Sequence, residues 1–600
     1  MNCRKKMTGR DMVGFALLGL SLIMLGRSVM LCFSNDIWYD ELFTVGLAEH
    51  SYGELIRLTA ADVHPPLYYC IVKLFVDLCK LIVPGVGTII SVKIASVLPY
   101  FILMIYAVTF LRKRFGLFVG GMFLFCVTAM PQLPAYTVEM RMYGWALLFV
   151  TAAFLHGYAL IESYVNCNSG SKKSGAGVAA STETAAGRHA HSLHGAAFVL
   201  YGLAAAYTQY FACVAVVMVY LFVLLAFWFR DRRRIREWLL YVIISVVCYV
   251  PWLFALAGQL EAVSENYWIL PLTWRSLGGC VKFLMKPAFA DERVNTVLAL
   301  VLFVAYLGLW CRWALKLFHK GRENDKICVN TIKECCKNLV DEATARFWLA
   351  TAGVGVLAGL VAFGFAASFL IRPIFVYRYM IPAVGCFWLG FALCLNNALC
   401  KPKAEQNDFC GGGDASKKLC KLNSAQLAKK ADNIGRHNIG RNTFSRAAGI
   451  ALTIFVVIVG LRDYRAFMGE EEYKIRLMTE TEEALALIGP QDSVVYNFDQ
   501  VQAVTGYYLP ETTARFLWRA EGEKLIQKIT SPCGTVEETE ELREMLDTAG
   551  EEDRGKNLWF IGSFNSREDI AAEWREDGLE VEERGSFLLE RYWFNLYKIS

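Results

Sequence analysis

The chain has 600 residues, 55% of them apolar, a mean hydropathy of +0.36 and charge on only 20% of its positions, too little to cover a soluble globule of 67.5 kDa. It is therefore read as an integral membrane protein, and 47 Gly and 15 Pro without a period exclude a collagen-like or disordered chain. The net charge of +5 hides a split: residues 463–600 hold 15 Lys and Arg against 30 Asp and Glu, and residues 1–462 hold 46 against 26.

The first apolar run, 12–32, follows Arg4, Lys5, Lys6 and Arg10 and has no small-residue cleavage pattern after it, so it is a retained span with a cytoplasmic N-terminus. Residues 34–66 are then outside and hold Asp36, Asp40, Glu41, Glu49, Glu54 and Asp62 against Arg57. The stretch 67–83 is long enough to cross, yet Lys73, Asp77 and Lys80 fall at spacings of four and three on one helix face. It reads as an amphipathic helix in the outer interface. The second span is 91–111, ending inside at Arg112, Lys113 and Arg114. Residues 115–134 return outward, 142–161 go in, and 163–194 form a cytoplasmic linker.

Residues 195–229 would make a helix of about 52 Å, too long for one span, and basic flanks (RDRRRIR at 230–236) demand an even number of crossings. Two short spans turning near 207–211 satisfy both conditions. Span 238–256 leads out to a loop at 257–293, 294–315 leads in, and 347–370 leads out. After 379–399 leads in, 447–461 leads out again, with cytoplasmic linkers at 321–346 and 400–446. The basic excess thus sits in short stretches beside apolar runs, the mark of cytoplasmic loops and not of a nucleic-acid groove.

The acidic tail, 463–600, alternates short apolar runs (SVVYNF at 493–498, NLWFIGSF at 557–564, FLLERYWFNLYKI at 587–599) with charged helical stretches such as 535–548. The expected fold is a polytopic α-helical membrane domain, 1–462, of about eleven spans with an outer loop at 34–90. A small extracytoplasmic α/β domain at 463–600 follows it. That tail carries no glycine-rich phosphate loop and no nucleophile motif.

Nineteen Cys lie mostly in apolar runs or basic loops, and the tail holds only Cys533, so no disulfide framework is expected. Cys335 and Cys336 lack zinc-ligand spacing. His189, His191 and His194 stand in a Gly/Ala/Ser-rich stretch with no carboxylate or Cys to complete a metal site, and read as a solvated linker. Nothing in the sequence requires a metal or a cofactor; a divalent cation is an option without support.

The topology gathers polar groups on one side of the membrane: Asp40 with Glu41, Asp62 with His64, Glu139 with Arg141, and Arg372 and Arg378 with Tyr379. Singly each has a plain explanation, as a helix start, a Pro65-Pro66 turn or an interfacial arginine. Together, WYDELFTVGLAEHSYGELIRLTAADVHPPLYY at 38–69 and EMRMYGW at 139–145 resemble the polyprenyl-phosphate-sugar-dependent glycosyltransferases of the GT-C superfamily. The likeness is to bacterial relatives of the protein O-mannosyltransferases and of the lipid A aminoarabinose transferase. It is strong over the first 145 residues and architectural beyond them.

The resemblance implies an inverting transfer of one sugar from a lipid monophosphate to an acceptor on the outer face. It assigns Asp40 as base or acceptor-orienting group, with Glu41 and Asp62 beside it, and Arg378, Arg141 and Arg372 to the carrier phosphate. His64, Glu139, Tyr143 and Tyr379 would line the substrates. The chemistry suits these residue types, because the leaving group is already a phosphate and what remains is to deprotonate a hydroxyl and hold the developing charge. Expected partners are the lipid-linked sugar, a lipid, glycan or wall-polymer acceptor, and membrane lipid. The absence of a long β-rich insert disfavours a protein acceptor, and the absence of any Asn-x-Ser/Thr sequon points to a bacterial plasma membrane. The alternatives are a lipid or sugar transporter or flippase, which calls for midplane charges and repeated halves, and a noncatalytic sensor built on the acidic tail.

Overall fold

The computed structural model describes residues 7–171, 185–262, 269–324, 342–400, 424–520, 524–552, 556–589 and 592–600. The molecule is a bundle of long apolar helices with an α/β unit packed on one end. The first helix, α1 (Gly9–Leu31), is started by Thr8, which accepts from the Asp11 amide while Asp11 caps Thr8 in return. In place of the outer loop expected at 34–90 stand three short helices, α2 (Tyr39–Glu49), α3 (Tyr52–Ala61) and α4 (Leu67–Ile82). On α4, Tyr68, Tyr69, Val72 and Val76 are buried, and Asp77 and Lys80 of the expected polar stripe are exposed together with Leu74, Leu78 and Leu81.

The bundle continues through α5 (Thr88–Tyr106, prolonged by Ala107–Leu111 and Arg112–Phe115), α6 (Leu117–Ala129), α7 (Tyr143–Ser171), α8 (Ala185–Ala206), α9 (Tyr210–Arg230) and α10 (Ile235–Ala262). It is completed by α11 (Arg275–Met285), α12 (Glu292–Asn324), α13 (Glu342–Leu370), α14 (Ile381–Leu399) and α15 (Ser424–Leu485). Nine helices among the described residues are long and apolar enough to cross a membrane. The other two expected spans fall on α6, which has 13 residues, and α8; the turn between α8 and α9 lies at 207–209, inside the expected 207–211. Small residues let α1 and α6 touch backbone to backbone: a Cβ on Gly121 would meet the Gly14 carbonyl.

One linker expectation changes. Helix α8 starts at residue 185, so His191 and His194, expected in a solvated linker, are on a helix and paired, His191 to Glu237 and His194 to His156 at 2.9 Å. His189 is on the same helix, and among the described residues no three His, Cys, Asp or Glu are grouped to hold a metal ion. Part of the linkers at 163–194, 321–346 and 400–446, with Cys335, Cys336, Cys410 and Cys420, lies outside the described residues.

The boundary drawn at 462/463 falls within α15, whose 62 residues make a rod of about 90 Å. It leads directly into the tail, so no linker separates the two parts. The tail alternates β1 (Ser493–Tyr496), α16 (Asp499–Tyr508), β2 (Ala514–Trp518), α17 (Leu525–Thr530), β3 (Gly534–Val536), α18 (Thr539–Glu552), β4 (Leu558–Ser563) and α19 (Ser566–Glu576). The hairpin of β5 (Val581–Leu589) and β6 (Tyr592–Ile599) ends it. Strand order is β3-β2-β1-β4-β6-β5, with the first four parallel and the hairpin antiparallel. The buried Asp492 ties the sheet at its base, accepting from the Asn557 amide at 2.9 Å and the Trp559 indole at 2.8 Å. One face of the sheet (Val495, Phe560) forms a core of its own with Trp574 of α19. The other (Tyr496, Ile561, Leu596) is continuous with the core of the bundle.

Candidate active site

Helix α2 begins at the end of α1, with Trp38 as its N-cap, and this places Asp40 and Glu41 in its first turn. Asp40 accepts a hydrogen bond from Arg378 Nη1 at 3.1 Å. Arg378 comes from the Tyr377–Met380 turn before α14, 338 positions away in the chain. Arg141, in the connection between α6 and α7, donates Nη1 to the Asp40 main-chain oxygen at 2.7 Å. The two arginines therefore hold different parts of one residue. Arg141 is 7% exposed and its Nε has no partner among the described residues, whereas the Arg378 side chain is 25% exposed.

Glu41 points inward, its carboxylate accepting from the Met140 amide at 2.7 Å, and burial pushes its pKa up to about 8. Glu139 is half-buried beside it, and desolvation raises its carboxyl to about 7 against the pull of Arg141 and Arg378. Tyr143 is buried at the start of α7, edge-on to Tyr136. Asp62 is not in this cluster of contacts. It pairs with His64 Nδ1 at 2.9 Å in the turn between α3 and α4.

His64, Tyr379 and Arg372 meet at a cavity of about 1070 Å³ whose walls come largely from α8, α9 and α10. Its polar end also holds Gln209 and Tyr210, at the start of α9; Val217, Leu221, Val242 and Val246 line it further along the helices. From Tyr210 to Leu221 is about 16 Å along the helix axis. Gln209 is buried with no partner on its side-chain amide among the described residues. The cavity is thus a largely apolar trough with Arg372, His64 and Gln209 at one end, while Tyr220, Ser245 and Trp238 further along are hydrogen-bonded among themselves. That end adjoins Asp40 through the adjacent residues Arg378 and Tyr379, and Tyr379 is stacked on Phe211 at 4.7 Å.

Sequence reading missed the residues that hold this assembly. Lys93 is 4% exposed on α5 and donates to Asp36 at 2.7 Å and to Ser34 Oγ at 3.0 Å, pinning the strand that feeds α2. A lysine inside an apolar span was the available signal. From the tail, Tyr508 receives the Ile37 amide at 3.2 Å and donates to the Asn35 carbonyl at 3.3 Å. A Cβ on Gly46 would stand 2.6 Å from Ile529, so α17 lies directly against α2. No sequence pattern announces these two contacts.

No family model matches the sequence, and no curated protein matches it. Among solved structures the chain is similar to ArnT from Cupriavidus metallidurans in the apo state. The identity is 11% over 98% of this chain and 97% of that one, with a TM-score of 0.50. At this identity the shared property is the overall fold alone.

Proposed function

We propose that this chain is an inverting glycosyltransferase that moves a sugar from a polyprenyl-phosphate carrier to an acceptor on the outer face of the membrane. The observation that carries the reading is the meeting of a carboxylate, two guanidinium groups and an apolar trough: Asp40 paired with Arg378 and backed by Arg141, at the polar end of the cavity. A prenyl chain suits the trough, and its phosphate suits the end marked by Arg372, Arg378 and His64.

In the proposed reaction the acceptor hydroxyl gives its proton to Asp40 and its oxygen forms a bond to the anomeric carbon. The bond from that carbon to the phosphate oxygen breaks, and the carrier phosphate leaves with both bonding electrons. Arg378 exchanges its contact with Asp40 for one with the departing phosphate, which frees the carboxylate when the donor is seated. Arg141 keeps the Asp40 backbone in place. Guanidinium groups hold the developing charge in the role that a divalent metal fills in other transferases.

The proposed orientation has the N-terminus in the cytoplasm, with the site and the tail outside a bacterial plasma membrane. A flippase reading is disfavoured by the gathering of acids and arginines at one end of the helices. Lipid extracts from cells with and without the gene, compared by mass spectrometry, test the proposal. The deletion should accumulate a polyprenyl-phosphate sugar and lose one sugar from an envelope lipid or glycan, and an unchanged carrier pool would overturn it.

A further inference from the structure

The sheet of the tail reverses its order between β1 and β4, since β2 and β3 lie on one side of β1 and β4 with the hairpin on the other. In open α/β sheets the crevice outside the carboxyl ends of such strands is where ligands sit. Here Asn497, just after β1, bridges the two strand ends, donating to the Ser563 carbonyl at 2.7 Å and to Ser566 Oγ at 2.9 Å. Above this bridge stands a row of three rings: Phe498 and Phe564 have centroids 5.6 Å apart, and Phe564 and Tyr592 5.2 Å.

The three rings of this row are 42%, 44% and 42% exposed. Phe564 has φ of +61°, a left-handed backbone conformation costly for a bulky residue, and it is held by Arg567, which donates to its carbonyl at 2.8 Å. A strained backbone that presents an aromatic ring to solvent is unfavourable for stability alone. The ten residues of α16 put about 15 Å between Phe498 and Tyr508, so the row is at the end of that helix away from the contact with Asn35.

We propose that this row is a glycan-binding platform, on which the apolar faces of neutral or amino-sugar rings stack while Asn497, Ser566 and Asp499 offer polar contacts to their hydroxyls. Charge decides the class of occupant. With 30 acids against 15 bases in residues 463–600, the tail repels phosphate-rich polymers and anionic lipid surfaces and tolerates uncharged or cationic saccharides. A pyranose is also about as long as the spacing of the rings, so a chain of sugars would lie along the row. The platform does not depend on the transferase reading, because it is defined by binding and not by turnover.

The test is hydroxyl-radical footprinting of the full chain in a lipid nanodisc, read by mass spectrometry at Phe498, Phe564 and Tyr592, with and without chitohexaose, mannohexaose or laminarihexaose. The rings should label freely without sugar and be protected by at least one of the three oligosaccharides, whereas a heparin hexasaccharide should give no protection. Phe564→Gly removes the central ring while relieving its backbone, so it should keep the fold and weaken oligosaccharide binding by about 10-fold or more. Tyr592→Trp, which keeps a flat ring, should retain binding. Rings already protected without sugar would assign the row to the bilayer or to a second copy of the chain and overturn the proposal. So would the absence of protection by all three neutral oligosaccharides, or an equal effect of the heparin fragment.

Discussion

Helix α2 and the turn at 62–66 both bring acids to the same end of the bundle, but the protein contains them differently. From Glu41 to Ala48 every residue of α2 is buried, between the bundle on one side and α16 and α17 of the tail on the other. The turn carries Asp62 and His64 half-buried at the open end of the cavity. The rigid element suits a group that must meet a reacting atom, and the open one suits contact with a ligand that comes and goes.

The largest effect is expected at Asp40. Asp40→Asn keeps the shape and a contact with Arg378 but removes the proton acceptor, so transfer should fall by about 100-fold or more at unchanged expression. Near-normal turnover would break the comparison and move the base to Glu41 or Asp62. Arg378→Lys keeps charge and loses the planar fork. Donor use should weaken by about 1.5 to 3 kcal/mol, seen as a higher KM for the polyprenyl-phosphate sugar. A snorkelling arginine would tolerate lysine, so unchanged kinetics would remove Arg378 from the phosphate site.

The clamp from the tail is tested at Gly46. Any side chain there meets the Ile529 and Thr530 methyl groups at 2.6 and 2.8 Å, and Gly46→Val should cost about 1 to 3 kcal/mol by overpacking. Activity should fall further than stability does, because the displaced helix carries Asp40; pairing the change with Ile529→Ala should restore both. A variant with full activity and a lowered Tm would show that the tail only supports the fold.

The sequence carried the bundle well, since the long apolar helices and the α8–α9 turn follow from apolar length and charge alone. Asp40 and Glu41 were singled out by the resemblance of the 38–69 segment to a transferase family, not by any local periodicity. The cluster around them was not legible. Arg378 reaches Asp40 across 338 positions, and the Asp36–Lys93 and Tyr508–Asn35 contacts join segments 57 and 473 apart. Periodicity describes which face of one helix is buried and says nothing of which residue of another helix meets it. The same limit hid the continuity of α15: a basic stretch, an apolar span and an acidic stretch look like three units, and helical hydrogen bonding runs through all of them.

A smaller effect separates buried acids from exposed ones through pH. Burial lifts Glu41 to about 8 and Glu139 to about 7 from an ordinary 4.5. Within that window the folded protein keeps protons that the unfolded chain has released, so stability should fall as pH rises from about 5 to 8. Glu41→Gln should flatten the decline in Tm across that range. A slope unchanged by the substitution would mean that the Met140 and Trp38 amides keep Glu41 ionised in the folded state.

The smallest effect is expected at Asp62, and it is the one that separates the two regions most cleanly. Asp62 contacts His64 at 2.9 Å, and His64 lines the cavity, so the acid orients the imidazole toward an arriving phosphate. Asp62→Asn keeps a hydrogen-bonding partner for His64 and takes away only the charge. The change should raise the KM for the lipid donor a few-fold, on the order of 1 kcal/mol or less for a half-exposed pair, and leave kcat near its original value. A loss in kcat as large as that of Asp40→Asn would make the turn, and not α2, the home of the base.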